Sequence, residues 1–161
     1  VTGCRVILSD QQEVLPVDPE LLERVVVAAA RKLGRSITVS VALVEDDVMA
    51  ELHERFLGIP GPTDVLSFPL PKEPGEVGAD EGSPDGEIVI STRTAVDTAA
   101  RLGIDPQVEV CLYAVHGLLH LLGHDDHSDD GWQKMHELET EVLGEEMGVD
   151  PRVLEERREA P

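Results

Sequence analysis

Aromatic side chains are nearly missing from this chain of 161 residues: two Phe, one Tyr and one Trp, or 2% of the total. A core must therefore be packed from Val, Leu, Ile and Ala, and the 41% apolar content supplies them in the proportion usual for a soluble globular protein. Cysteine is almost as scarce. Cys4 and Cys111 are too few for a disulfide framework and neither stands in a CxxC pair, so both are expected to be reduced and structural. No apolar run approaches the roughly 18 residues that cross a bilayer. The first residues, VTGCRVILSDQQEV, lack a basic segment followed by a long apolar one. No membrane partner is expected, and the location expected is cytoplasmic.

Positive charge is the third shortage. Asp and Glu number 33 against 13 Lys and Arg, a formal net charge of −20, and the only lysines are Lys32, Lys72 and Lys134. A field of this sign repels polyanions at long range and weakens nonspecific nucleic-acid binding. Its simplest reading is a solvated, solubilising surface.

What is present fits one domain over residues 1–150, followed by a charged tail, 151–161, expected to fray. CRVILSD reads as a strand. Asp18-Pro19-Glu20 opens a helix whose apolar positions Leu21, Leu22, Val25, Val26, Ala29 and Leu33 recur at helical spacing up to Gly34. SITVSVALV alternates as a strand does, and Asp46 or Asp47 is a candidate cap for a helix ending near Phe56 and Gly58. VLSFPL reads as an edge strand because of its trailing prolines, residues 71–86 as a long surface loop, EIVIS as a strand and TRTAVDTAARLG as a helix. An apolar helix from about Pro106 to Leu122 and another over roughly Asp130 to Met147 complete the series. The order predicts an α+β fold: a single domain with a mixed four-stranded sheet packed with about five helices.

The stretch HGLLHLLGHDDH, residues 116–127, holds four of the six histidines. Residues 112, 115, 119 and 122 form one apolar stripe, with 114, 118 and 121 filling much of the rest, so the helix should be buried. His116 and His120 lie about 6 Å apart along the axis and on one face, where both imidazoles can reach one ion at roughly 2.0–2.1 Å. Gly123 permits a sharp reversal, and the third donor can come from His124, Asp125, Asp126 or His127. A zincin-like metal-binding helix is expected. The glutamate that serves as general base in the peptidase motif HExxH is replaced by Gly117, which disfavours a metallopeptidase.

With these residues in view the chain resembles the YbeY family of rRNA-maturation factors, described as metal-dependent endoribonucleases. His116, Gly117, Leu119, His120, Leu121, Gly123 and Asp125 match a family signature similar to HGxLHLxGYDH. PTDVLSFP at 62–69 and GEIVIS at 86–91 are similar to two further family segments, in the same order. The resemblance implies one Zn²⁺ held by His116, His120 and Asp126, which stands at the place of the family's third histidine; His127, one residue later, is the alternative. It also implies a substrate cleft near Ser67 and Phe68. Leu57 stands where many relatives carry an arginine implicated in catalysis.

The activity implied is a zinc-dependent endoribonuclease in 16S rRNA 3′-end maturation and ribosome quality control. The alternative is a ribosome-assembly factor with a structural metal and little nuclease activity. The partner implied is rRNA of the small ribosomal subunit. Given the acidic charge, the RNA is either met by a basic patch at Arg55 and Arg93 or presented by ribosomal or assembly proteins, and the scatter of basic residues favours the latter. His124 is expected to pack at the turn, Thr63 and Asp64 to start a strand, His53 and His136 to sit on surface helices, and Trp132 to anchor the last helix.

Overall fold

The structure is a computed structural model that describes residues 3–71 and 83–159. Most of the loop expected at 71–86 lies outside the described residues. The elements are β1 (Cys4–Asp10), α1 (Pro19–Lys32), β2 (Ile37–Val44), α2 (Asp46–Leu57), β3 (Val65–Pro69), β4 (Gly86–Ser91), α3 (Thr92–Leu102), α4 (Pro106–Leu121), α5 (Asp129–Met147) and α6 (Pro151–Glu159). The sheet order is β1-β2-β4-β3. β1 and β4 both run parallel to β2, and β3 alone is antiparallel, on β4 at one edge. The four-stranded mixed sheet and the α+β class are as expected.

Alternation along the strands divides the core in two. Val39, Val41 and Leu43 of β2, with Ile88 and Ile90 of β4, face the large cluster built on α1 and α4. Ala42, Val44 and Val89 face the other way, onto Met49 and Leu52 of α2 and onto Leu66 and Phe68 of β3. Helix α4 is buried almost all round, its residues from Val108 to Leu119 being inside except His116. It is therefore a fixed platform for whatever its C-terminal turn presents.

Local chemistry explains most helix ends. Asp18 accepts from the backbone amides of Glu20 and Leu21, Asp105 from Gln107, and Ser128 from Gly131, each satisfying amides that a first turn leaves open. At α2 the cap position belongs to Glu45, which makes no side-chain cap bond. Asp46 instead lies inside the first turn and accepts from the Ser91 hydroxyl at 2.5 Å, tying α2 to the start of α3.

Among the described residues the helices number six, in keeping with the expected number of about five, and the sixth is α6, formed by residues 151–159 of the tail expected to fray. Leu154 is fully buried. Arg157 grips Glu109 of α4 through two hydrogen bonds, and Glu109 is itself fully buried. A charged tail sequence is thus anchored by one leucine and one interior ion pair.

Candidate metal centre

Helix α4 stops through a Schellman arrangement. The amide of His124 donates to the Leu119 carbonyl at 2.9 Å, that of Gly123 to His120 at 3.1 Å, and Gly123 takes φ 94°. The chain reverses and carries Asp126 back over the helix end. The Nε2 atoms of His116 and His120 lie 3.0 Å apart, and Asp126 Oδ2 lies 3.7 and 3.8 Å from them. A circle through these three atoms has a radius of about 2.1 Å, so one ion can meet all three at the lengths zinc takes to imidazole nitrogen and carboxylate oxygen. The donor set fits the metal that the sequence implied. His127 does not join it: its side chain is 89% exposed, with Nε2 3.6 Å from Asp125. A second grouping of Asp125, Asp126 and His127 shares Asp126 but faces solvent.

Behind His116 stands a residue that sequence inspection missed. Glu139 of α5, 1% exposed, has Oε2 3.3 Å from His116 Nδ1 and Oε1 2.8 Å from His136 Nδ1. If Nδ1 of His116 donates to this carboxylate, Nε2 is left bare and directed at the ion site, the usual arrangement behind a metal-bound histidine. Burial alone would push Glu139 up, but the hydrogen bonds from His116 and His136 outweigh it and hold its carboxyl below the ordinary range. Burial likewise opposes charge on His116, yet Glu139, Asp126 and Asp64 win and raise its pKa above the usual imidazole value. The pocket attracts positive charge, as a cation site must. The available signal was the spacing HELE at 136–139, which puts a histidine and a carboxylate three apart on one helix.

Two glycines shape the centre. A Cβ on Gly117 would lie 2.8 Å from Ile88 Cγ2 and 3.3 Å from Val65 Cγ2. Strands β3 and β4 therefore lie on the helix at the position where a HExxH glutamate would stand, and no side chain fits. A Cβ on Gly131 would lie 1.9 Å from the backbone oxygen of Asp125, so only glycine lets the ligand turn rest on the first turn of α5. Gly131→Ala is expected to displace Asp126 and weaken metal affinity by about 10–100-fold, as loss of support behind a ligand does. The metal-free fold should survive at a cost of about 1–3 kcal/mol. Metal titration and melting of the stripped protein measure the two effects separately.

The remaining candidates are dispersed. Ser67 pairs with Ile88 in the β-ladder and shares its face, towards α4, whereas Phe68 pairs with Glu87 and faces α2, stacking on Phe56 at 5.0 Å. The pleat thus separates two residues expected in one cleft. Arg55 lies in the last turn of α2, and Arg93 of α3 approaches Asp97 at 4.0 Å. Asp64 starts β3 by accepting from the Val65 amide at 2.7 Å, with the Thr63 hydroxyl 3.3 Å away. His53 is not on the surface: it is 9% exposed, its Nδ1 2.8 Å from the Gly61 carbonyl oxygen. His136 is also more than a surface histidine, being paired with Glu139, and Trp132 is 43% exposed with its ring set edge-to-face with His136. His124 contributes its backbone amide to the turn, while burial, Lys134 and Arg35 lower its imidazole pKa.

A buried helix, a glycine reversal and a His₂Asp donor set backed by a buried carboxylate define a single-domain α+β protein with a candidate divalent-metal centre. The family profile described as Endoribonuclease YbeY matches residues 8–146, and the chain belongs to that family. It is 39% identical to the Endoribonuclease YbeY of Thermobifida fusca (strain YX) over 133 residues, covering 80% of this chain and 86% of that one. With the Endoribonuclease YbeY of Cutibacterium acnes it shares 42% identity over 116 residues, 70% and 74% of the two chains. The solution structure of TM1509 from Thermotoga maritima superposes with a TM-score of 0.59 at 25% identity, covering 92% of this chain and 95% of that one.

Proposed function

We propose that the chain is a zinc-dependent endoribonuclease acting in 16S rRNA 3′-end maturation and ribosome quality control, in the cytoplasm, on RNA presented by ribosomal or assembly proteins. Its family makes it an RNA-cleaving hydrolase. Among the described residues no helix is long and apolar enough to cross a membrane. The observation that carries the finer reading is the convergence of His116, His120 and Asp126 within 4.8 Å of one another. Two nitrogens and one oxygen suit zinc among the common divalent metals.

Bound there, zinc supplies Lewis-acid charge for a phosphate oxygen and lowers the pKa of a nearby water. The chain's own contribution is positional. Glu139 fixes the ring of His116, Gly131 seats the turn that bears Asp126, and α4 keeps the donors rigid. Gly117 leaves no glutamate base in the helix, which disfavours peptide hydrolysis by the HExxH route; for RNA the nucleophile is either water or the strand's own 2′-hydroxyl. Ser67, on the α4 face, is the proposed cleft residue of its strand.

Metal content and RNA cleavage should be measured together on wild type, His116→Ala and Asp126→Ala prepared identically. Wild type is expected to hold zinc and cleave, and both variants to lose the two properties in parallel. Undiminished cleavage by metal-free Asp126→Ala would sink the reading.

A further inference from the structure

A cavity of about 400 Å³ opens beside the metal centre, on the far side of His136. Three helices line it: Thr98 and Arg101 of α3, Trp132 and His136 of α5, Arg157 and Arg158 of α6. A smaller cavity of about 110 Å³ shares His136, Arg157 and Arg158 with it and reaches His116 and Glu139. The larger cavity's volume falls in the range of small-ligand sites.

Positive charge gathers at this cavity in an otherwise acidic chain. The chain has 13 basic residues against 33 acidic ones, yet three arginines meet here. Arg157 is neutralised by Glu109. Arg158 is not: it donates to two uncharged oxygens, the His136 carbonyl and the Thr140 hydroxyl, each at 3.2 Å. Burial, the largest influence, and the adjacent Arg157 lower its pKa, against an opposing pull from Glu139 and Glu155. Arg101 is exposed and has no ion pair among the described residues. On the wall between them stands the chain's sole tryptophan, 43% exposed. Two guanidinium groups that make no direct ion pair among the described residues, beside an accessible indole, are the elements of a site for a phosphate and a base.

We propose that this cavity is a nucleotide subsite for single-stranded RNA, with Trp132 stacking one base and Arg101 and Arg158 holding its phosphate, behind His136 and Glu139 as seen from the metal centre. The proposal rests on the RNA-cleaving reading above and names where that substrate is gripped. It also bounds how much of the strand is held. Across Trp132, the groove between α5 and α6 is lined by Glu137, Glu141, Glu145, Glu155 and Glu159, which repel a phosphate backbone. The strand therefore enters from the α3 side and leaves about one nucleotide in the cavity. Binding here should accordingly show a salt slope of about one phosphate, roughly −0.7 in log–log form.

The single indole makes the site directly observable. A 2′-O-methyl RNA tetranucleotide, which cannot be cleaved through its 2′-oxygen, is titrated against the full chain while Trp132 emission is followed. Saturable quenching is expected, with Kd raised at least about tenfold in Arg101→Glu, whose folding is checked in parallel by circular dichroism. In cleavage assays, Trp132→Ala and Arg101→Glu should raise KM about tenfold with kcat little changed, because they lose ground-state grip rather than the reacting centre. Unchanged emission at saturating oligonucleotide, equal binding by Arg101→Glu, or equal quenching by an acidic peptide of the same charge would overturn the subsite. The two readings fail separately. Quenching without any cleavage would remove the nuclease and keep the subsite; cleavage with wild-type KM in both variants would do the reverse.

Discussion

His120→Ala is expected to leave a folded protein that neither retains zinc nor cleaves RNA. In the proposed site His120 is one of three donors, and its side chain is 33% exposed, so its removal opens no sealed cavity. The stability cost should stay near about 1 kcal/mol. Metal affinity should fall by more than the 10–100-fold (about 1.4–2.8 kcal/mol) typical of losing a group behind a ligand, because a ligand itself is lost. Metal analysis, thermal melting and cleavage of a defined RNA check the three parts. Rescue of melting but not of cleavage by added zinc would also fit, since two remaining donors can still hold an ion loosely. A different outcome has its own meaning: a folded, metal-free His120→Ala that matures rRNA normally would favour the assembly-factor reading. That alternative draws support from Leu57, where the family resemblance implies an arginine and which is instead 59% exposed, presenting apolar surface with Phe56 and Ile59.

The second large effect concerns the C-terminal helix. Arg157→Met should destabilise the protein by about 3–5 kcal/mol, because it strands the carboxylate of Glu109 in the interior without its charged partner, leaving only the Tyr113 hydroxyl beside it. For a chain of this length that corresponds to a fall in Tm of roughly 6–20 °C. Glu109→Leu in the same protein should recover most of the loss, since a buried ion pair replaced whole by apolar groups is often neutral. Thermal melting of the single and double variants decides the matter. A Tm for Arg157→Met within a degree or two of wild type would mean that residues 151–159 contribute little, as their sequence suggests when read alone.

That contrast shows where sequence reading stops. PRVLEERRE offers few apolar positions, and no local pattern makes it a stable helix. Its order comes from Glu109, 48 residues away, and from the pocket that takes Leu154. Glu139 escaped notice for a similar reason, since it stands 23 residues beyond His116 and on another helix. His53 read as a surface residue because helical periodicity alone does not reveal that Gly61 returns to meet it. The separation of Ser67 from Phe68 is local geometry, but which face carries the metal helix is not.

The sequence by itself determined the strands, five of the helices, and the pairing of His116 with His120, because these depend on periods of two and 3.6 residues and on caps within a few positions. It also contained the reversal at Gly123. Only the tertiary structure brought Asp126 within 3.8 Å of both imidazole nitrogens while leaving His127 exposed, set Glu139 behind His116, laid a strand against Gly117 and turned the charged tail into a helix. These are contacts between segments distant in the chain, and they exist only after the hydrophobic faces of sheet and helices have been buried together. Packing decides them, because a buried carboxylate or a glycine without room for a Cβ is defined by its neighbours in space.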